Sequence, residues 1–319
     1  MNRIKLLFLC LFPFLLISCG TKESEKKESE QKNSTVHVKL QLNWFPEAEH
    51  GGYFHGVESG LYEKNGIKVK ILNGGPGVPV ETEVGVGRVE FGIANADKIL
   101  AVRENGLKVI GLLAPYQKSP RCILVHKDSL IKGFKDLVHA EALIVNNTKP
   151  FYKYLNHKYP ALKNVKTIPY SQATFLSNSK SAMQGYSNSE PLVFKEKGVD
   201  VRVLNVAEIG FNPYASVLIC SEKLLKNKPD LVKKMVELSR KAWFDYLKEP
   251  SVGNTAIIKQ NPKIASHIKE SSRLLKPLME TSGSKFGRMT PQRWKELESL
   301  LYEIGVLKSK QSEECFKNL

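Results

Sequence analysis

The side chains best placed for chemistry are rings and polar groups that fall where strands should end and helices begin. Trp44 closes an alternating run over 36–42. His50 and Gly51-Gly52 open the next helical stretch, whose first N–H groups are free to serve an acceptor. Gly75 lies in a glycine loop over 73–77, and Asn95 and Asp97 follow a third strand-like run. Further along come Tyr186, Asn188 and Glu190, with Tyr53, Tyr116 and Phe211 as additional rings. Rings stack planar molecules, and a few polar groups at their edges fix orientation. The chemistry suggested is reversible capture. No Ser-His-Asp or paired-carboxylate constellation can be argued, and C-x-x-C and H-x-x-x-H spacings are missing, so no catalysis, metal or cofactor is expected. Plainer readings stand beside these. Trp44 caps a sheet from within, Gly51-Gly52 makes a turn, Asp97 is an N-cap, and His50 sits at a rim.

Elements that would position these residues follow from periodicity. Runs at 36–42, 67–72, 89–94 and 109–114 read as strands, separated by helical stretches at 51–64, 79–86 and 98–105. This alternation predicts a parallel sheet covered by helices on both faces. Short strands at 121–126, 142–145, 165–168 and 201–205 then form a second group, and 216–220 is another. From Pro229 the pattern is helical, over 231–248, 252–259, 262–269 and 291–304, with Asp230 and Thr290 as expected caps and Pro291 at a first helical position. The expected architecture is α/β, with two α/β lobes and a helical C-terminal part. Lobe 1 is 36–119 with 214–319, and lobe 2 is 120–213. The two crossings, near Ser119-Pro120 and Pro213-Tyr214, make a hinge, and the cleft between lobes is the natural ligand site.

The first residues give an address. Arg3 and Lys5 precede an apolar run over 6–17, and a small residue, Ser18, precedes Cys19. That run holds about 12 residues, whereas a span needs about 20. Leu16-Ile17-Ser18-Cys19-Gly20 resembles the lipobox of bacterial lipoproteins, in which the cysteine is acylated, as by palmitate, after removal of a signal peptide, here 1–18. The stretch 19–35 has no aliphatic or aromatic residue after Gly20, and 22–32 balances four Lys with four Glu. It cannot offset its ordering entropy by burial and reads as a flexible tether. The expected location is a bacterial membrane, through a lipid anchor, facing the periplasm or exterior.

The chain has 319 residues and a formal net charge of +16, and loss of Arg3 and Lys5 leaves it strongly basic. Outside the cytoplasm, and without a zinc-finger, RRM or KH signature, this charge reads as a solvated surface, and no nucleic acid is expected. Cys122, Cys220 and Cys315 remain after the leader, an odd number, and the first two lie in apolar strand-like runs that suit buried thiols.

Gln41-Leu-Asn-Trp44-Phe-Pro46, His50-Gly-Gly-Tyr53, Gly60-Leu-Tyr-Glu63, Gly74-Gly-Pro76, Gly87-Arg-Val-Glu-Phe-Gly92, Ala94-Asn-Ala-Asp97, Tyr186 with Ser189-Glu-Pro191, and Pro229-Asp-Leu-Val232 occur in this order. Together they resemble the NMT1/THI5-like (SsuA-like) substrate-binding proteins over nearly the whole body. The resemblance implies a type II periplasmic binding-protein fold, a monomer, and delivery of a small-molecule ligand to an ABC permease and ATPase. It implies a heteroaromatic solute, thiamine-pyrimidine or riboflavin-like, with small oxyanions such as sulfonates as the alternative. The family's N-E-P element is altered here, with Asn188 one place early and Ser189 before Glu190. Its glycine turn in the second lobe is replaced by Asn146-Asn147-Thr148, which brings Asn146 among the candidates. The family also includes pyrimidine synthases, but their clustered cysteines have no counterpart here.

Overall fold

The computed structural model describes residues 35–279, 285–310 and 314–319. The signal peptide, Cys19 and all of the tether but its last residue lie outside them. Residues 35–319 form one compact unit built on two five-stranded sheets. The strands are β1 (Val36–Gln41), β2 (Ile67–Leu72), β3 (Phe91–Ala94), β4 (Val109–Leu113), β5 (Arg121–His126), β6 (Leu143–Ile144), β7 (Thr167–Ile168), β8 (Ala182–Tyr186), β9 (Val201–Asn205) and β10 (Val217–Ser221). The first sheet has the order β2-β1-β3-β10-β4, and the second β7-β6-β8-β5-β9.

Neither sheet is all parallel, which corrects the expectation from strand–helix alternation. β10 runs antiparallel to both β3 and β4, and β5 runs antiparallel to β8 and β9. The reason is the connectivity. β4 carries the chain out of the first sheet and β10 brings it back from the same side, so the two must run in opposite senses. For the same reason β5, which enters the second sheet, opposes β9, which leaves it. The two crossings lie side by side. Tyr116 and Ala215 form an antiparallel bridge between them, and Ser119 N–H donates to Asn212 Oδ1 at 2.8 Å.

Beneath the first sheet, the Pro229–Lys248 helix buries Val232, Met235, Val236, Ser239, Ala242, Trp243 and Tyr246. Their three- and four-residue spacing makes one apolar stripe. The Gly51–Glu58 helix packs directly against it. A Cβ built on Gly51 would lie 2.0 Å from the Tyr246 ring, and one on Gly52 would lie 2.2 Å from the Trp243 ring. Close approach of these rings, rather than a turn, is what requires the glycine pair.

Three local readings are corrected. The helix expected over 51–64 is broken at Gly60, whose φ of 72° ends one helix and starts the Leu61–Lys64 turn. Asp230 lies inside the first turn of its helix, which begins after Lys228 without a side-chain cap. β8, central in the second sheet, carries Gln184-Gly185-Tyr186 as strand, where the sequence pattern showed no strand signal. Thr290 does cap its helix, accepting from Arg293 N–H, with Pro291 following. Cys122, Cys220 and Cys315 are buried, as the apolar runs around the first two led one to expect. No helix among the described residues is long and apolar enough to cross a membrane.

Candidate functional site

The first wall of the site is the segment after β1. Gln41 donates from Nε2 to Asn73 O at 2.9 Å, and Gly74 N–H donates to Trp44 O at 3.0 Å. These bonds tie the loops after β1 and β2 together and hold Trp44 half-buried. Its indole meets Phe45 edge-on at 5.3 Å and Tyr170 of the second sheet's lobe at 5.7 Å. A short turn, Ala48–His50, then presents Glu47, Glu49 and His50. His50 Nε2 lies 2.9 Å from Asn43 Oδ1 and 3.2 Å from Glu49 Oε1. The Asn43 amide oxygen can only accept, so this nitrogen carries the proton.

The opposite wall is the turn between β8 and the Glu190–Glu196 helix. Glu190 Oε2 accepts from Tyr186 N–H at 2.7 Å and Oε1 accepts from the Tyr170 hydroxyl at 2.9 Å. Ser189 Oγ–H donates to Glu47 Oε2 at 2.7 Å, directly between lobes. Asn95 donates to the Tyr186 hydroxyl at 3.1 Å, and its Oδ1 accepts from Ser216 N–H at 3.0 Å. Ser271 donates to Asn188 O at 2.6 Å, and Asn188 Nδ2 points at the Tyr116 hydroxyl at 3.5 Å. Ser216 adopts φ 47°, a left-handed conformation that costs a non-glycine residue about 1–2 kcal/mol. Such strain persists only where neighbours hold it, as Asn95 does here.

Burial governs the electrostatics. Glu49 is 3% exposed and its carboxyl is held well above the usual range, by burial first and then by Glu47 and Glu190, against the pull of Arg121. Glu47 keeps a partial opening to solvent although protein surrounds it, as a group on a crevice wall does. Burial, reinforced by Glu190, pushes it up to about 8, eased by hydrogen bonding from Ser189 and Trp44. Burial also raises Glu190 and drives His50 down to about 3, so His50 supplies no charge. Arg121 is 8% exposed and lies 4.7 Å over the Phe151 ring. Six buried atoms in this region have no hydrogen-bond partner: Glu49 Oε2, His50 Nδ1, Asp97 Oδ1, Arg121 Nε, Asn188 Oδ1 and Ser216 Oγ. An unsatisfied buried polar group costs about 1–3 kcal/mol, which a polar guest would recover. Among the described residues no group of three His, Cys, Asp or Glu could hold a metal ion.

The structure thus brings together Trp44, His50, Asn95, Asp97, Tyr116, Tyr186, Asn188 and Glu190 from both lobes. It does not bring the other candidates. Tyr53 is fully buried with its ring edge-on to Trp243 at 5.6 Å, and Phe211 is fully buried against Tyr154 at 5.3 Å. Gly75 lies beside the Phe45 ring. Asn146 is exposed, and its Oδ1 accepts from Thr148 N–H and hydroxyl at 3.1 and 2.7 Å. Asp97 is not a cap, because its helix starts after Asn95. Sequence reading missed Glu47, Glu49, Tyr170, Ser189 and Ser216. The one available signal was Glu47 and Glu49 two apart beside His50, and their common fate needed the opposite wall to be seen.

A family model described as NMT1/THI5 like matches residues 47–252. The riboflavin-binding protein RibY of Chloroflexus aurantiacus is 25% identical over 228 residues, covering 67% of this chain and 63% of that protein, so the match spans less than two thirds of RibY. A formylaminopyrimidine-binding protein of Halalkalibacterium halodurans is 22% identical over 94% of both chains. A relative from Legionella pneumophila, named 4-amino-5-hydroxymethyl-2-methylpyrimidine phosphate synthase, is 20% identical, covering 71% of this chain and 74% of that one. In fold, the chain is similar to the periplasmic aliphatic sulphonate binding protein SsuA of Escherichia coli, with a TM-score of 0.67 at 14% identity, covering 90% of this chain and 94% of that one.

Proposed function

Because the chain belongs to the NMT1/THI5-like family, and its fold is that of periplasmic binding proteins, we propose that it is an extracytoplasmic solute-binding protein rather than an enzyme. It captures a small, planar heteroaromatic solute between its lobes and delivers it to the permease and ATPase of an ABC importer. The observation that carries this reading is the set of buried, unpartnered polar atoms that both lobes contribute, together with the half-buried rings of Trp44, Tyr170 and Tyr186. Rings of this kind stack a planar guest while the polar atoms bond its edge. Ligand capture is then a population shift toward the form in which Glu47 and Ser189 touch. The relatives named for riboflavin and formylaminopyrimidine support the same solute class. Acylated Cys19 would moor the body to the membrane, since two or more acyl chains anchor firmly where one is marginal.

A small oxyanion such as a sulfonate is the competing solute. It asks for cationic forks, but Arg88 is spent on Glu83 at 2.7 Å on the surface, and Arg121 acts on the Glu49 carboxyl. Calorimetric titration with 4-amino-5-hydroxymethyl-2-methylpyrimidine, riboflavin and an alkanesulfonate tests the proposal. Sub-micromolar binding of either heteroaromatic supports it. Tight binding of the sulfonate alone refutes the heteroaromatic assignment, and a turnover product would refute the binding role.

A further inference from the structure

Glu47, Glu49 and Glu190 face one another at the interlobe site, and the cation acting on Glu49 is Arg121. Fully ionised, three carboxylates against one guanidinium leave a surplus of negative charge in a place with little water. Buried unpaired charge of that kind is not tolerated; the groups stay neutral or acquire a partner. Glu190 is committed, with both oxygens bonded within its own lobe. Glu49 Oε2 has no partner, and Glu47 is bonded by Ser189 through Oε2. Two acids therefore keep acceptor capacity toward the site. The other groups facing them add no positive charge. His50 is neutral, and the hydroxyls of Tyr116, Tyr170 and Tyr186 are pushed upward by burial and by these same acids. Asp97, which acts on Tyr186, has an unpartnered oxygen of its own, and its charge is offset by Lys149, on which both it and Arg121 act. Arg121 Nε and Asn188 Oδ1, both at least nine-tenths buried and unpartnered, show that this acidic cluster faces a place for a guest.

We propose that the cleft is a proton-for-cation exchanger: its solute carries a positive charge, an ammonium or protonated ring nitrogen, and Glu47 or Glu49 meets it as a carboxylate after releasing a proton to solvent. The inference rests on the solute-binding reading and specifies the charge of the solute. The balance is simple. A carboxylic acid and a hydrated cation become a carboxylate–cation pair and one proton in bulk water, with no bond formed or broken in the solute. The release of the proton makes affinity rise with pH, by about tenfold per unit for each proton released. An oxyanion placed here would meet like charge or force further protonation.

The test uses the full chain and two pyrimidines of similar shape. One is 4-amino-5-aminomethyl-2-methylpyrimidine, which carries an ammonium, and the other is its neutral 5-hydroxymethyl analogue. Titration calorimetry at pH 7 in buffers of different ionisation enthalpy counts protons directly. The expected result is that the ammonium binds at least about tenfold tighter, releases about one proton, and loses about tenfold in affinity at pH 6. The hydroxymethyl compound should bind without proton release. Glu47→Gln should lower the proton count for the ammonium, and the wild-type count stands as the deciding measurement whether or not that variant folds. Equal affinities, or proton-neutral binding of the ammonium, overturn the inference and leave the solute-binding reading intact. Binding of riboflavin with neither pyrimidine bound does the same. Failure of all three to bind sinks the heteroaromatic reading and this inference together.

Discussion

Ser189 of the second lobe donates its hydroxyl to Glu47 of the first at 2.7 Å. The bond spans 142 residues of sequence and belongs to neither lobe's own architecture. Around it, Asn95 donates to Tyr186, Ser271 donates to Asn188 O, and Trp44 meets Tyr170 edge-on. These contacts exist only while the lobes are together, so they set how readily the cleft stands open.

Ser189→Ala removes the latch without touching either core. A hydrogen bond of this type contributes about 1 kcal/mol, which is roughly a fivefold change in the closed-to-open ratio. Small-angle scattering of the unliganded protein should show a larger radius of gyration in the variant. An unchanged radius would mean that the remaining contacts hold the lobes by themselves.

The rings divide into two classes. On the proposed function Trp44 and Tyr186 stack the solute, and alanine at either should weaken its binding by about 1–3 kcal/mol, by analogy with stacking on bases. Tyr53 and Phe211 are core residues, and alanine there should cost about 3–5 kcal/mol of stability instead. Calorimetry and urea denaturation on all four variants separate the classes. A loss of affinity without loss of stability at Phe211 would contradict its placement.

Stability should fall as pH rises from 6.5 to 8. In the folded protein Glu47 holds its proton to about 8, against an ordinary value of 4.5. The unfolded chain releases that proton first, so raising the pH favours unfolding until about 8. Glu49 acts in the same direction. His50, lowered from 6.5 to about 3, has the opposite effect, which is half spent at pH 6.5 and gone by about pH 7.5, so it opposes Glu47 only at the start of the range. Denaturation midpoints at the two pH values should differ in wild type and differ less in Glu47→Gln, where only Glu49 keeps the effect. A flat wild-type profile would show that Glu47 is ionised in the folded state.

Gly52→Ala should destabilise the first lobe by about 1–3 kcal/mol, because the added methyl lands on the Trp243 ring and the packing must shift. The effect reads as a lower thermal midpoint. Pairing it with Trp243→Phe, which frees space at the contact, should recover part of the loss.

Much of this protein is written locally. Alternating or continuously apolar runs gave nine strands, with the boundaries of Ile67–Leu72, Arg121–His126 and Val201–Asn205 reproduced and others within a few residues, because apolar patterning is a property of short segments. The stripe on the Pro229–Lys248 helix and the Thr290-Pro291 start were legible for the same reason. So was the placing of Trp44 and Asn95 near strand ends. Strand direction was not legible, because β10 and β5 owe their sense to where the chain re-enters a sheet, a fact about connectivity in space. Nor was the central strand β8, whose Gln184-Gly185-Tyr186 lacks an apolar alternation and is fixed by pairing with β5.

The chain's own order of residues determined its α/β class, its two groups of strands and the rings offered at their ends. Tertiary structure alone decided which rings gather between the lobes and which are core, and it alone made Glu47 and Glu49 special. A carboxyl group's charge depends on what surrounds it, and the partners that bury these two come from the far side of a hinge, over a hundred residues away in sequence.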